Sequence, residues 1–185
     1  MTQGPIIETA RLILRPPQQE DFEGWAEFYT DDENLRFIGG AQTRDNAWRF
    51  MATMAGSWAL LGYGMFSVIE KDTGRCVGRV GPWRPAGEQG GWPGSEVGWG
   101  IARAAQGRGI AYEAAVASMD FAFDQLGWSE VIHCIAPDNA PSIALAKRLG
   151  STTIVKSGNL LPAPFDHMHI DAYGQTKEQW KARKP

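Results

Sequence analysis

Cysteine is scarce in this chain: there are two among 185 residues, Cys76 and Cys134. They lie far apart and form no CxxC pair. No metal site is therefore expected, and a reducing cytoplasm is the expected compartment. Charge of one sign is lacking too. Lys and Arg number 18 against 21 Asp and Glu, a formal net charge of −3. That excludes a nucleic-acid binder driven by whole-protein charge, though not a local basic patch, and no nucleic-acid partner is expected. No apolar run is long enough to span a bilayer, so no membrane partner is expected either. The first residues, MTQGPIIETARL, lack the basic-then-apolar layout of a secretory signal. Repeats, low-complexity stretches and interdomain linkers are missing as well. Residues 1–185 are read as one domain, since a domain takes ~100–200 residues. A chain of this size can bury a core without disulfide or metal staples.

Tryptophan and glycine are plentiful, at eight and 22. Tryptophan joins a large apolar area to one N–H, which suits cores, pockets and interfaces. Apolar spacing predicts strands at residues 12–14, 63–70, 76–83, 96–101, 131–136, 152–155 and 168–173. Helices are predicted over 18–29, 43–61, 110–126 and 142–149, with a short polar one over 176–182. Thr43 is the expected cap of the second helix, with Trp48, Met51, Met54 and Trp58 as its buried side. Lys71-Asp72-Thr73-Gly74 is the expected turn of a hairpin, and Gly150 the stop of the helix before it. Residues 84–95 and 159–164 read as loops. Hairpin strands come first, then strand–helix–strand–helix–strand. That order implies an α/β (α+β) fold with a mixed sheet and helices on both faces.

The most informative segment runs from Glu96-Val97-Gly98-Trp99-Gly100-Ile101 through Ala102-Arg103-Ala104-Ala105 into Gln106-Gly107-Arg108-Gly109-Ile110-Ala111. A strand enters a glycine-containing turn that opens a helix. Helix starts carry unpaired N–H groups and partial positive charge, and glycine lets backbone come close to a ligand. Together they make an anion site, most naturally for phosphate or pyrophosphate, with Arg103 and Arg108 adding charge. The plainer reading is that Gly107 and Gly109 only shape a tight turn. Two familiar phosphate loops are excluded. No GxxxxGK[ST] occurs, and Gly98-x-Gly100 meets Arg103 where a third Gly or Ala is needed.

Gln106-Gly107-Arg108-Gly109-Ile110-Ala111 resembles the Q/R-x-x-G-x-G/A signature of GNAT-type N-acetyltransferases. Three further blocks in order resemble the RimJ/RimL-like branch: Thr9 to Pro16, Glu96 to Trp99 leading to Tyr112-Glu113-Ala114, and Pro137 to Ser142 with Lys147 to Gly150. The resemblance covers nearly the whole chain. It implies a mixed, mostly antiparallel twisted sheet, splayed between its fourth and fifth strands, here 96–101 and 131–136, with acetyl-CoA in the split. By the same resemblance, backbone N–H groups of Arg108, Gly109, Ile110 and Ala111, with Gln106 and Gly107, would hold the pyrophosphate. The backbone at Ile101 and Arg103 would pair with the pantetheine arm, and an N–H near Ile101 would polarise the thioester carbonyl. Asn139 would bond the arm through its side chain; it is also a natural helix cap, and both roles are compatible.

The implied reaction is direct attack of an amine on the thioester. Many family members protonate the departing thiolate with a tyrosine at a position that here is Ala146. In the RimJ/RimL-like branch a serine is proposed instead, and Ser142 occupies it. Ser142 also reads as a first-turn residue bonding backbone. Glu96 is a candidate base, through a water, with Asp166 and His167 as alternatives. His167 and His169 share a strand face but lack a further ligand. Glu113 and Cys134 read as structural. Phe28, Tyr29, Asp31, Asp32, Glu33 and Phe37 fall on the implied acceptor side, where acidic residues would attract a cationic amine or simply be solvated. Trp83, Trp92 and Trp99 read as core, cleft or dimer-interface residues. A free α-amine, with pKa near about 8, is roughly a tenth neutral at pH 7, whereas a lysine amine is far less so. The lack of a compelling base therefore points weakly to a protein N-terminal α-amine or small-molecule amine, handled by a monomer or homodimer. Two rival classes are a non-catalytic acyl-CoA-binding module on the same fold, and a nucleotide-binding module.

Overall fold

The computed structural model describes residues 4–84, 91–158, 160–163 and 166–183. Half of the loop expected at 84–95, and part of that expected at 159–164, lie outside the described residues. Eight strands form one sheet: β1 Ile7–Glu8, β2 Leu12–Arg15, β3 Phe66–Glu70, β4 Cys76–Trp83, β5 Glu96–Ile101, β6 Glu130–Ile135, β7 Thr152–Gly158 and β8 Ile170–Thr176. Their order is β1-β2-β3-β4-β5-β6-β8-β7. Every pairing is antiparallel except β5 with β6. Among the described residues six α-helices accompany it: α1 Phe22–Tyr29, α2 Asp32–Leu35, α3 Arg44–Leu61, α4 Ile110–Asp120, α5 Ala140–Arg148 and α6 Lys177–Arg183.

The sheet is clad on both faces because its strands alternate. Leu12, Leu14, Val68, Val80 and Val97 pack with Ala114, Ala115 and Met119 of α4. Ile13, Ile69 and Cys76 turn the other way, toward Trp25, Phe28, Met51 and Met54 of α1 and α3. Helix α3 starts where Thr43 accepts a hydrogen bond from the Asn46 N–H and stops at left-handed Gly62. Its buried stripe is Ala47, Met51, Met54 and Trp58. Trp48, expected in that stripe, lies one residue and so ~100° further round; it is 45% exposed and packs edge-on against Phe22 instead. The long helix expected over 110–126 ends as α4 and continues as a wider π-type turn over Phe121–Gln125, which buries three consecutive residues. Strand β1 and the short α2 were not expected from sequence.

The sheet opens between β5 and β6. These strands are paired only at Glu96 and Ile132, where the Ile132 N–H reaches the Ser95 carbonyl. Because the two-residue β1 precedes the others, the split lies between the fifth and sixth strands rather than the fourth and fifth, though on the expected residues. Helix α5 starts beside the open end of β6, capped by Asn139, and ends at Gly150, which has φ 88°.

Candidate functional site

The ladder register decides what β5 offers to the split. Ala102 N–H donates to the Val77 carbonyl, and Gly100, Gly98 and Glu96 face Arg79, Gly81 and Trp83. Bonding alternates along an antiparallel pair. The amides of residues 96, 98, 100 and 102 therefore point to β4, and those of Val97, Trp99 and Ile101 point to the opposite edge. Strand β6 meets that edge only at its start. The Trp99 and Ile101 N–H groups are thus left on an open edge, available to an extended ligand. The Ile101 carbonyl is engaged by the Gln106 side chain at 2.9 Å. The Arg103 carbonyl is engaged by the Gln106 N–H at 3.1 Å.

A cavity of about 690 Å³ fills the split and extends to both faces of the sheet. Gly107, Gly109, Ile110 and Ala111 line one end of it. Gly107 and Gly109 have φ of 73° and 78°, the left-handed region that glycine enters at little cost. Helix α4 begins at Gly109 with no side-chain cap, so its first amides keep their donors for a ligand. The arginines depart from expectation. Arg103 is bound to Asp31 at 2.7 Å and Arg108 to Glu70, and neither lines the cavity. Their charge is spent on locking the turn to α2 and β3. Gln106 acts as a latch, donating to Ile101 and to Asn34 Oδ1 at 2.8 Å. Glu113 is structural as expected: Thr9 Oγ1, the Arg11 N–H and Arg11 Nε donate to it.

Where the backbone ladder stops, two side chains carry the strands one step further. Glu96 of β5 reaches across to the Cys134 N–H of β6 at 3.2 Å, and its other oxygen accepts from Trp92 Nε1 at 2.8 Å. His133 of β6 reaches back to the Val97 carbonyl at 2.7 Å, while Ser151 Oγ lies 3.0 Å from Nε2. A carbonyl only accepts, so Nδ1 carries the hydrogen and Nε2 accepts from Ser151. Gln175 donates to the same hydroxyl at 2.8 Å. Burial pushes the Glu96 carboxyl up to about 7, against the donors that hold it down. Burial likewise lowers His133 to about 4, so it is neutral at pH 7. Sequence reasoning missed His133, because nothing local distinguishes it from a packed strand residue.

Alternation puts Glu96 and Trp99 on opposite faces of β5. Trp99 packs against the His133 ring, centroids 4.7 Å apart, and donates Nε1–H to Ser142 Oγ at 3.2 Å. The indole can only donate, so the Ser142 hydroxyl accepts there and keeps its own hydrogen to give. Asn139 uses its side-chain oxygen on the Ser142 N–H at 3.2 Å. That is the cap reading, and it leaves the amide NH2 at the cavity wall. Ala146 is buried against Ile135 and Tyr173, with no proton to offer.

On the face of Glu96, Phe28, Tyr29, Met65, Arg79, Trp83 and Trp92 wall the other end of the cavity. The three tryptophans singled out in the sequence are therefore cavity walls. Asp31 is paired with Arg103 and Glu33 with Arg36, so neither is a free cation trap. Asp166, His167 and His169 are exposed and do not line the cavity. Among the described residues no cluster of metal-ligating side chains is found, and no helix is long and apolar enough to cross a membrane.

A family model described as an acetyltransferase (GNAT) domain matches residues 11–152. The chain is 29% identical over 156 residues to a Bacillus licheniformis protein named uncharacterized N-acetyltransferase p20, covering 83% of this chain and 84% of that one. It is 28% identical over 145 residues to the uncharacterized N-acetyltransferase YnaD of Bacillus subtilis (strain 168), covering 78% and 81%. Among solved structures, an acetyltransferase from Agrobacterium tumefaciens str. C58 matches with a TM-score of 0.79 at 28% identity, covering 95% and 96% of the two chains.

Proposed function

The chain belongs to the GNAT acetyltransferase family, matched over residues 11–152, and from that premise we propose that it is an acetyl-CoA-dependent N-acetyltransferase of the RimJ/RimL-like branch. One observation carries the reading. The uncapped glycine turn, the open-edge amides of Trp99 and Ile101, Ser142 and Glu96 all border one cavity that passes through the split.

Acetyl-CoA, when bound, supplies the acetyl group as a thioester. The first amides of α4, from Gly109 to Ala111, hold its pyrophosphate. The Trp99 and Ile101 N–H groups receive the arm and the carbonyl oxygen, where a donor is often worth ~10²–10³ in rate. The Asn139 amide NH2 bonds the arm. As the amine nitrogen bonds the acetyl carbon and the carbon–sulfur bond breaks, two protons move. Glu96 takes one from the amine, directly or through a water, on one face of β5. Ser142 passes one from a water to the departing sulfur on the other face, its hydroxyl aimed by Trp99, so that it ends as a hydroxyl while Glu96 returns its proton to solvent. A carboxyl near pH 7 is matched to base work at neutral pH.

Thiol release from acetyl-CoA against peptides with free N-termini, amino acids, polyamines and aminoglycosides tests this. Mass spectrometry then locates the acetyl group. The expected result is acetyl-CoA binding by calorimetry and transfer to one class of amine. Absence of acetyl-CoA binding sinks the reading.

A further inference from the structure

The acceptor-side wall contains a buried cation that no carboxylate contacts among the described residues. Arg79 is 9% exposed, and among the described residues no Asp or Glu forms an ion pair with it. Its Nη1 donates to the Met65 sulfur, the Tyr29 hydroxyl accepts from the guanidinium, and its buried Nε has no partner. The guanidinium lies over the rings of Phe28 and Tyr29, at 5.1 and 5.3 Å from their centroids. Elsewhere the fold treats a half-hidden arginine differently. Arg15 is gripped by both oxygens of buried Asp21 at 2.8 Å each. A buried charge that no anion contacts is costly, and the free Nε of Arg79 marks where such an anion would bind. Glu96, on the same face, feels the Arg79 charge, which helps to hold its carboxyl down, but forms no ion pair with it, because its two oxygens accept from Cys134 and Trp92.

Position supplies the rest. Arg79 stands opposite Gly100 in the β4–β5 ladder, beside the residues whose amides face the split. The surrounding walls are apolar: Phe28, Tyr29, Phe50, Met54 and Trp83. We propose that Arg79 receives a carboxylate of the acceptor, so that the substrate is an amino acid with an apolar side chain rather than a polyamine or aminoglycoside. This rests on the transferase reading for the identity of the acceptor, but the carboxylate subsite is testable without turnover.

Calorimetry in the presence of CoA compares N-acetyl-L-phenylalanine and N-acetyl-L-methionine with their carboxamides. Charge-assisted bonds to a buried guanidinium predict that the acids bind roughly 10- to 100-fold tighter than the amides. Arg79→Gln removes that difference while leaving the amides where they were. Equal binding of acids and amides by the unaltered protein overturns the proposal, as does failure of either acid to bind; neither result depends on the variant folding. An Arg79→Gln protein that keeps the preference overturns it too. The two readings fail separately. Arg79-dependent binding of acids without thiol release from acetyl-CoA leaves the subsite standing and fails the transferase. Equal turnover of phenylalanine and phenylalaninamide fails the subsite alone.

Discussion

Ser142 and Glu96 are the residues on which the chemistry turns, and each predicts a separable effect. Ser142→Ala removes the one hydroxyl that Trp99 holds in donor orientation. Turnover should fall by ~10²–10⁴ with acetyl-CoA affinity retained; an unchanged rate at saturating substrates would remove the acid assignment. Glu96 works as a base only when ionised, and burial sets its pKa at about 7. The pH profile of kcat/KM should therefore rise through neutrality. In Glu96→Gln that limb should vanish and the rate should drop. A profile that keeps its limb in the variant assigns the base elsewhere.

At the scale of elements, the start of α4 does two jobs with one geometry. Gly109 in the left-handed region both turns the chain and frees the first helical amides. A Cβ there would meet Arg11 Nη2 at 3.5 Å, an ordinary contact. The cost of Gly109→Ala is thus conformational, about 1–2 kcal/mol for a non-glycine residue held left-handed. Urea midpoints should show that loss, and calorimetry should show weaker acetyl-CoA binding as the turn relaxes away from its ligand-holding form. Full affinity in a destabilised variant would mean that the amides of this turn do not hold the pyrophosphate.

At the scale of the whole molecule, the two side chains that clamp the split titrate in opposite senses. His133 has its folded pKa lowered from 6.5 to about 4. The unfolded chain binds its proton first, so stability is full above pH 6.5 and falls as pH drops toward 4, by up to about 3 kcal/mol. Glu96 is raised from 4.5 to about 7. Its contribution is full below pH 4.5 and is lost as pH rises through 7. Over the shared window the slopes oppose each other. Stability of the unaltered protein should therefore change little between pH 7 and 5. Glu96→Gln should lose stability on acidification, and His133→Phe should gain it. Denaturant midpoints at pH 7, 6 and 5 check this; parallel curves for all three proteins would refute it.

Sequence by itself determined whatever depends on neighbours along the chain. The Thr43 and Asn139 caps, the stop at Gly150 and the glycine turn from Gln106 to Ala111 all use interactions spanning a few residues. Helical phase was legible to within one residue, which was enough to misplace Trp48 in favour of Ala47. Only the tertiary structure decided what reaches across the sheet. It spent Arg103 and Arg108 on Asp31 and Glu70, made Gln106 a latch, and set Glu96 and His133 as reciprocal clamps. It also left Arg79 Nε buried without a partner beside the acceptor walls. Such pairings join residues tens of positions apart, and they exist only once strand register has chosen which side chains face one another.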